Sequence, residues 1–383
     1  MIKVKNLDFK KIITINLWLL KNDKNKNLKI SFLIIFFLKI LYRSILFIPK
    51  IKSQKEYEIF YIRTYSRPDL NQHSNYYENF RGTSVCILSE RKKKINIFIL
   101  LKIFVFLILN YKFWYLGLKK CNLKFFSKNG FYIFLVFLES LSNVLKIIPF
   151  LKKHKKLVCF QEVLPTENFL CQYANTINIK TYSLQHAIGI YNAKGSFDAR
   201  FPICNYLNLV SKNILCWGHC NKTIFKKHTT SKIHIVGKPY LPNLSTKING
   251  VTFVFENKEF KKINNHMLIL SEKFQKNKIQ ISRWYKPSHS LSSSGIIRDG
   301  PLRNIIIGSN SSLLIELGYL GFKVFITKYS NLKSYLPKNL VVNEDNFLKK
   351  KEIILKNYPH KIWKSFIECS NNESLRRYKK ILK

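Results

Sequence analysis

Negative charge is what this chain of 383 residues has least of: 21 Asp and Glu stand against 66 Lys and Arg, a formal charge of +45. A balance of that sign ordinarily points to nucleic acid or to an anionic membrane surface. Lys, Asn, Ile and Phe are abundant throughout, inside apolar segments as well as between them, so the excess reads as a bias of the whole composition rather than one basic face. No aromatic-basic motif of the RNA-recognition kind is present, which argues against nucleic acid as a partner. Attraction to an anionic membrane surface survives the discount, because charge acts whatever its origin.

Paired cysteines are missing too. The eight cysteines, at 86, 121, 159, 171, 204, 216, 220 and 369, form no CxxC, and Cys216 with Cys220 lacks a matching second pair, so no metal site is expected. Several lie in apolar strand-like runs, as free thiols do in a reducing cytosol. There is no Asp-x-Asp cluster, no GxGxxG, no P-loop and no repeat of fixed period. The first thirty residues carry Lys and Asn and no small-residue cleavage site, so no secretory signal is read and the protein is expected in the cytoplasm. Long uncharged runs are also lacking. Three apolar segments, Ile30–Ile48, Ile95–Leu118 and Gly130–Leu151, are interrupted by Lys39 and Arg43, by Lys102 and Lys112, and by Glu139 and Lys146. That argues against spanning and leaves two readings: buried helices of an N-terminal domain, or interfacial helices whose lysines snorkel on the inner face of the cytoplasmic membrane.

What is present is alternation. The length suits two domains of similar size. Residues 1–52 read as a basic helical arm. Residues 53–240 read as a Rossmann-like domain with a helical insertion, its strands at Glu58–Thr64, Lys156–Gln161, Thr181–Gln185, Ile214–Trp217 and Ile233–Gly237. A Pro-rich, polar stretch from Lys238 to Gly250 reads as the boundary. Residues 250–345 read as a second Rossmann-like domain, with strands at Val251–Phe255, Lys278–Tyr285, Ile305–Ile307 and Lys323–Thr327, and residues 346–383 as closing helices. The fold class is α/β, two parallel sheets each flanked by helices.

Ligands in such sheets bind at the carboxyl ends of strands, and three constellations fall there. Gln185 and His186, with Gly189 after them, end a first-domain strand. Lys286-Pro287-Ser288-His289 follows a second-domain strand. Ser309, Asn310, Ser311 and Ser312 lie between Gly308 and an apolar helix pattern, where hydroxyls and backbone N–H groups suit a phosphate; they suit a capped structural helix equally well. Glu316, a turn further on, is placed to accept from a sugar hydroxyl, although a solvated surface role fits it as well. Among the other first-domain groups near strand ends are Arg63, His73 and Glu162.

In order and setting these pieces resemble bacterial polysaccharide glycosyltransferases of the two-Rossmann-domain (GT-B) type: polysialyltransferases, capsule Kdo transferases and CDP-glycerol polyol-phosphate polymerases. The resemblance covers roughly Lys156 to Thr327 and rests on a Gln-His stretch in the first half, then a Pro-containing stretch and a Ser-Ser helix start in the second. Two departures stand out: Ala187 replaces the usual Gly after Gln185-His186, and Lys286-Pro287 replaces His-Pro, with His289 downstream. The resemblance implies an inverting, metal-independent transferase without a cofactor. It would move a sugar from a nucleotide-activated donor, CMP- or CDP-linked, to a capsular or lipopolysaccharide glycan or glycolipid. An imidazole whose unperturbed pKa is near 6.5 suits the base, which makes His186 the catalytic candidate. Lys286, His289, Ser309, Ser311, Ser312 and Glu316 would hold the donor, and Gln185 and Gly189 the acceptor. The competing readings are a non-catalytic basic membrane-associated protein and a nucleic-acid-binding protein; stabilisation by nucleotides separates them from the enzyme.

Overall fold

The computed structural model describes residues 7–13, 29–52, 58–64, 82–160, 164–185, 209–227, 229–241, 248–256, 260–285, 297–342 and 355–382, with Phe80, Glu162, Leu244 and Phe347. The first α/β unit opens with helical residues 9–13, helix α1 (Ile30–Leu46), strand β1 (Phe47–Lys52), β2 (Ile59–Arg63) and β3 (Thr83–Lys93). Two long helices follow, α2 (Phe98–Lys120) and α3 (Lys128–Leu151). The chain then alternates through β4 (Lys156–Cys159), α4 (Pro165–Thr176), β5 (Lys180–Leu184), β6 (Asn213–Cys216), α5 (His219–Lys226) and β7 (Lys232–Ile235).

These strands form one seven-stranded sheet in the order β1-β3-β2-β4-β5-β6-β7. All neighbours are parallel except β1, which runs antiparallel to β3 at the edge and carries Pro49 beside a break in register. An edge is where a residue without an N–H is tolerated. Every residue of β2 and β4 is buried, as expected for parallel strands covered on both faces. The pleat sends alternate residues to different layers: Phe60 and Ile62 pack under α3 and α4, while Ile59 and Tyr61 face the other way.

The N-terminal segment is no accessory arm. Phe9, Ile12 and Ile13 are buried, Phe9 sits edge-on to Trp114 at 6.0 Å and to Phe137 at 5.9 Å, and β1 extends the sheet. Its apolar residues supply part of the core, which outweighs the lysines around them.

The second unit contains β8 (Ile248–Phe255), α6 (Lys261–Lys276), β9 (Ile281–Tyr285), β10 (Ile297–Asp299), β11 (Arg303–Gly308), α7 (Ser312–Tyr319), β12 (Lys323–Thr327) and β13 (Val341–Val342). Its six-stranded sheet has the order β10-β9-β8-β11-β12-β13, parallel except for β10 against β9. Helix α6 buries Met267, Leu270, Ser271 and Phe274, the spacing of one helical face. Helix α7 stops at Gly321, whose φ of +90° is costly for a residue with a Cβ; the N–H groups of Gly321 and Phe322 return to the carbonyls of Gly318 and Leu317. The last helix, α8 (Asn371–Leu382), leaves the second unit and packs Tyr378 and Leu382 onto the free face of the first sheet, where Lys156 Nζ donates to the Leu382 carbonyl at 2.6 Å. The chain therefore consists of two α/β units with parallel-dominated sheets, laced together by its final helix.

The three apolar segments meet different fates. By length and composition alone α2 and α3 are sufficient to cross a membrane, so the interrupting charges do not exclude it. Helix α3 is mostly core, with 56% of its apolar window buried, whereas only 22% of that of α2 is buried. Among the described residues, nearly all the exposed large apolar side chains lie on α1, on α2 and beside the ends of α2.

Candidate functional site

In each sheet the strand order reverses once, and open parallel sheets bind ligands at the carboxyl ends of the strands on either side of such a reversal. In the first sheet β3 lies on one side of β2 and β4 on the other, so the reversal falls between β2 and β4. Thr64 follows β2, and Glu167 stands in the first turn of α4 after β4. Pro165 opens that helix, where a missing N–H costs nothing. Thr64 Oγ1 donates to Glu167 Oε1, and Oε2 is buried with no partner among the described residues. Burial pushes the Glu167 carboxyl up to about 7, against the opposing hydrogen bond from Thr64. A helix N-terminus favours the charged form, yet complete removal from water outweighs it. Beside this pair lies a cavity of about 270 Å³, walled by Thr64, Ser89 and Arg91 from the strand ends, by Glu139, Ser140 and Asn143 from α3, and by Thr166 and Glu167 from α4.

Two further buried groups brace this edge. Glu162 accepts from the backbone N–H groups of Val210 and of Ser211, the latter at 2.8 Å, so it anchors the chain leading into β6; burial raises its pKa. Gln185 Oε1 accepts from Trp217 N–H at 2.8 Å and ties the ends of β5 and β6 together. Its Nε2 is buried with no partner among the described residues. His186 and Gly189 come next in the chain and lie outside the described residues, as do His73, Lys286 and His289.

In the second sheet β9 and β11 flank β8, so the reversal lies between β8 and β11. Glu256, just past β8, accepts from the Asn310 N–H just past β11 at 2.6 Å. Asn310 Oδ1 in turn accepts from Asn331 N–H at 2.9 Å, and the side-chain nitrogens of both asparagines are buried without partners among the described residues. The serines divide. Ser309 is buried with its hydroxyl against Thr327 Oγ1 at 2.6 Å, and Ser311 is buried as the cap of α7, accepting from Leu313 N–H at 3.3 Å. Only Ser312 of the three is part-exposed at the helix start. Ser309 and Ser311 thus spend their hydroxyls inside the protein, so neither hydroxyl is directed at a donor.

Glu316 is likewise engaged elsewhere. Its carboxylate pairs with Lys238 Nζ, and the side chains are 13% and 2% exposed. Lys238 sits just after the first sheet, 4.9 Å from the ring centre of Trp217, with its N–H donating to the Cys369 carbonyl at 2.9 Å. Burial lowers the Lys238 pKa, and Glu316 opposes that shift. The preceding Gly237 has φ +80°, and a Cβ there would stand 2.2 Å from the Cys369 carbonyl oxygen. Linker and C-terminal return are therefore clamped against each other at the junction of the two units.

Glu167, Glu256 and Lys238 are the residues that reading the sequence missed. Each of the two glutamates is an acidic residue close behind a strand, in a chain poor in acid. That signal was available, but its meaning depends on which strands are neighbours.

No family model matches the sequence, and no curated protein matches it. Among solved structures, a trehalose-6-phosphate synthase studied for glycosyl transfer with retention aligns at 8% identity and a TM-score of 0.43, over 85% of this chain and 98% of that one. A sucrose-phosphate synthase from Thermosynechococcus elongatus aligns at 8% identity and a TM-score of 0.35, over 64% of this chain and 75% of that one. At these scores the likeness does not reach individual residues.

Proposed function

We propose that the chain is a glycosyltransferase that moves a sugar from a nucleotide-activated donor to a hydroxyl of a glycan or glycolipid at a membrane surface. The observation that carries this reading is the pairing of two parallel-dominated sheets, each with a buried polar cluster at its own strand-order reversal: Thr64 with Glu167 in one, Glu256 with Asn310 in the other. Two crevices, one for each substrate, are what a transfer between two bound molecules requires. A non-catalytic membrane protein has no need of either cluster.

We assign the donor to the second unit, beside Ser312 and the start of α7, where backbone N–H groups suit a departing phosphate, with Lys286 and His289, which follow β9 in the sequence, as the candidate cations. A cytidine nucleotide and a capsular or lipopolysaccharide acceptor are what the resemblance to the bacterial polysaccharide glycosyltransferases implies. Inversion needs a base, and His186, next in the sequence after Gln185, is the imidazole proposed for that role.

Membrane attachment rests on a separate observation. Ile34, Ile35 and Leu38 on α1, and Leu101, Phe104, Ile108 and Phe113 on α2, are exposed. Monomeric soluble proteins rarely leave so large an apolar face open. Exposed Lys39, Lys102, Lys112, Lys119 and Lys120 lie among or beside these residues, so the face matches an anionic bilayer, apolar in the acyl region and basic toward the headgroups.

The test is incubation with CMP-, CDP- and UDP-linked sugars, following which is consumed in the presence of membrane-derived glycan. Consumption of one, together with a fall of roughly 10²–10⁴-fold in turnover for His186→Ala at unchanged donor affinity, supports the reading. Absence of binding to every nucleotide in the panel overturns it.

A further inference from the structure

We infer that the cavity beside Thr64 and Glu167 is a sugar-ring site, which takes one hydroxylated ring of the acceptor and hydrogen-bonds it through Thr64. This deepens the transferase reading and rests on it for the word acceptor; the existence of a sugar site does not.

The location is the first argument. The cavity stands where the first sheet reverses its strand order, the place where open parallel sheets bind ligands. Its size is the second. At about 270 Å³ it falls just below the range of about 300–1,000 Å³ usual for drug-sized ligands, which suits a single ring.

Chemistry selects the ligand. The walls offer hydroxyl lone pairs of Thr64 and Ser140, whose own protons go to Glu167 Oε1 and the Val136 carbonyl, and the hydroxyl of Ser89 and the carboxamide of Asn143, so the lining presents acceptors and donors to a polyol. Leu88, Val136 and Pro165 add an apolar patch that fits the C–H face of a pyranose. A phosphate or free carboxylate is disfavoured. The nearest cation, Arg91, is paired with Glu139 at 3.2 Å, and an anion would also face Glu167. Glu167 acts through Thr64: by taking the Thr64 proton it orients the hydroxyl so that its lone pairs accept from the ring. Glu167 is thus a positioning residue. Glu139 also accepts from Arg43 of α1 at 3.3 Å, so the wall of the cavity is tied to the helix with the exposed apolar face. A ring carried on a lipid would meet the protein on that side.

Saturation-transfer NMR on the full chain with the methyl glycosides of glucose, galactose and N-acetylglucosamine, without any nucleotide, tests this directly. At least one glycoside should be saturated by the protein. Thr64→Val should bind it roughly tenfold more weakly, Thr64→Ser should restore binding, and Asn143→Leu, which fills the cavity with an apolar side chain, should abolish it. Glu167→Gln should remove the dependence of affinity on pH near neutrality, which a purely structural role would leave in place. If none of the three glycosides binds, or if Thr64→Val and Asn143→Leu bind as tightly as the parent, the assignment is overturned. Because no donor is present, these outcomes are read separately from the nucleotide-sugar assay.

Discussion

Lys238 and Glu316 form a buried ion pair across the junction between the two units, from the linker after β7 to the helix after β11. Taking two charges out of water is costly, and their attraction offsets that cost only while both are present. Lys238→Met should therefore destabilise the protein by up to about 3 kcal/mol, because Glu316, 13% exposed, is left unpaired and largely out of water. The double variant Lys238→Met, Glu316→Leu should recover most of the loss. Denaturant titration of the parent, Lys238→Met, Glu316→Leu and the double variant gives the coupling, and an additive double variant would show that the pair is not coupled.

Stability should depend on pH through Glu167. Its carboxyl titrates near 7 in the folded chain and near 4.5 when unfolded, so between those values the folded state holds a proton that the unfolded state has released. Stability should therefore fall as pH rises from about 4.5 to about 7, by roughly 3 kcal/mol at most for this group. Glu162, shifted in the same direction by burial, adds to the slope. Thermal melts across that window should be visibly flatter for Glu167→Gln than for the parent. An identical slope would remove Glu167 as its source.

Ser311 separates capping from ligand binding. Its hydroxyl accepts from Leu313 N–H, so Ser311→Ala should cost about 1 kcal/mol of stability while nucleotide affinity stays within twofold of the parent. Ser312→Ala should show the reverse pattern. Calorimetric titration beside a melting curve reads both, and a large affinity loss in Ser311→Ala would return that serine to the donor site.

The apolar face of α1 and α2 should hold the protein on membranes without spanning them. Sedimentation at low salt should carry the chain down with anionic vesicles, and high salt or carbonate should release at least part of it. Replacing Leu101, Phe104 and Ile108 together with Ser should keep the chain in the supernatant. Resistance to both salt and carbonate would instead point to insertion across the bilayer.

Much of the fold was legible along the chain. The β-branched run at Ile305–Ile307, the helix pattern behind Ser311 and the stop at Gly321 each follow from local rules, because a strand's period, a cap and a positive φ depend only on neighbouring residues. The role of the N-terminal segment was not legible in the same way. Phe9 and Ile13 look like any apolar residues in a basic stretch until Trp114 and Phe137 are brought against them.

Residue types and their positions relative to strand ends were determined by the sequence: Gln185 behind one strand, Ser309 to Ser312 behind another, and apolar segments interrupted by charge. Tertiary structure alone decided which of those groups meet. Strand order places Thr64 against Glu167 and Glu256 against Asn310, and the packing of the two units sets Glu316 against Lys238, 78 positions earlier in the chain. The physical reason is that a buried polar group must take whichever partner the packing of distant segments leaves within reach, and no local pattern encodes that distance.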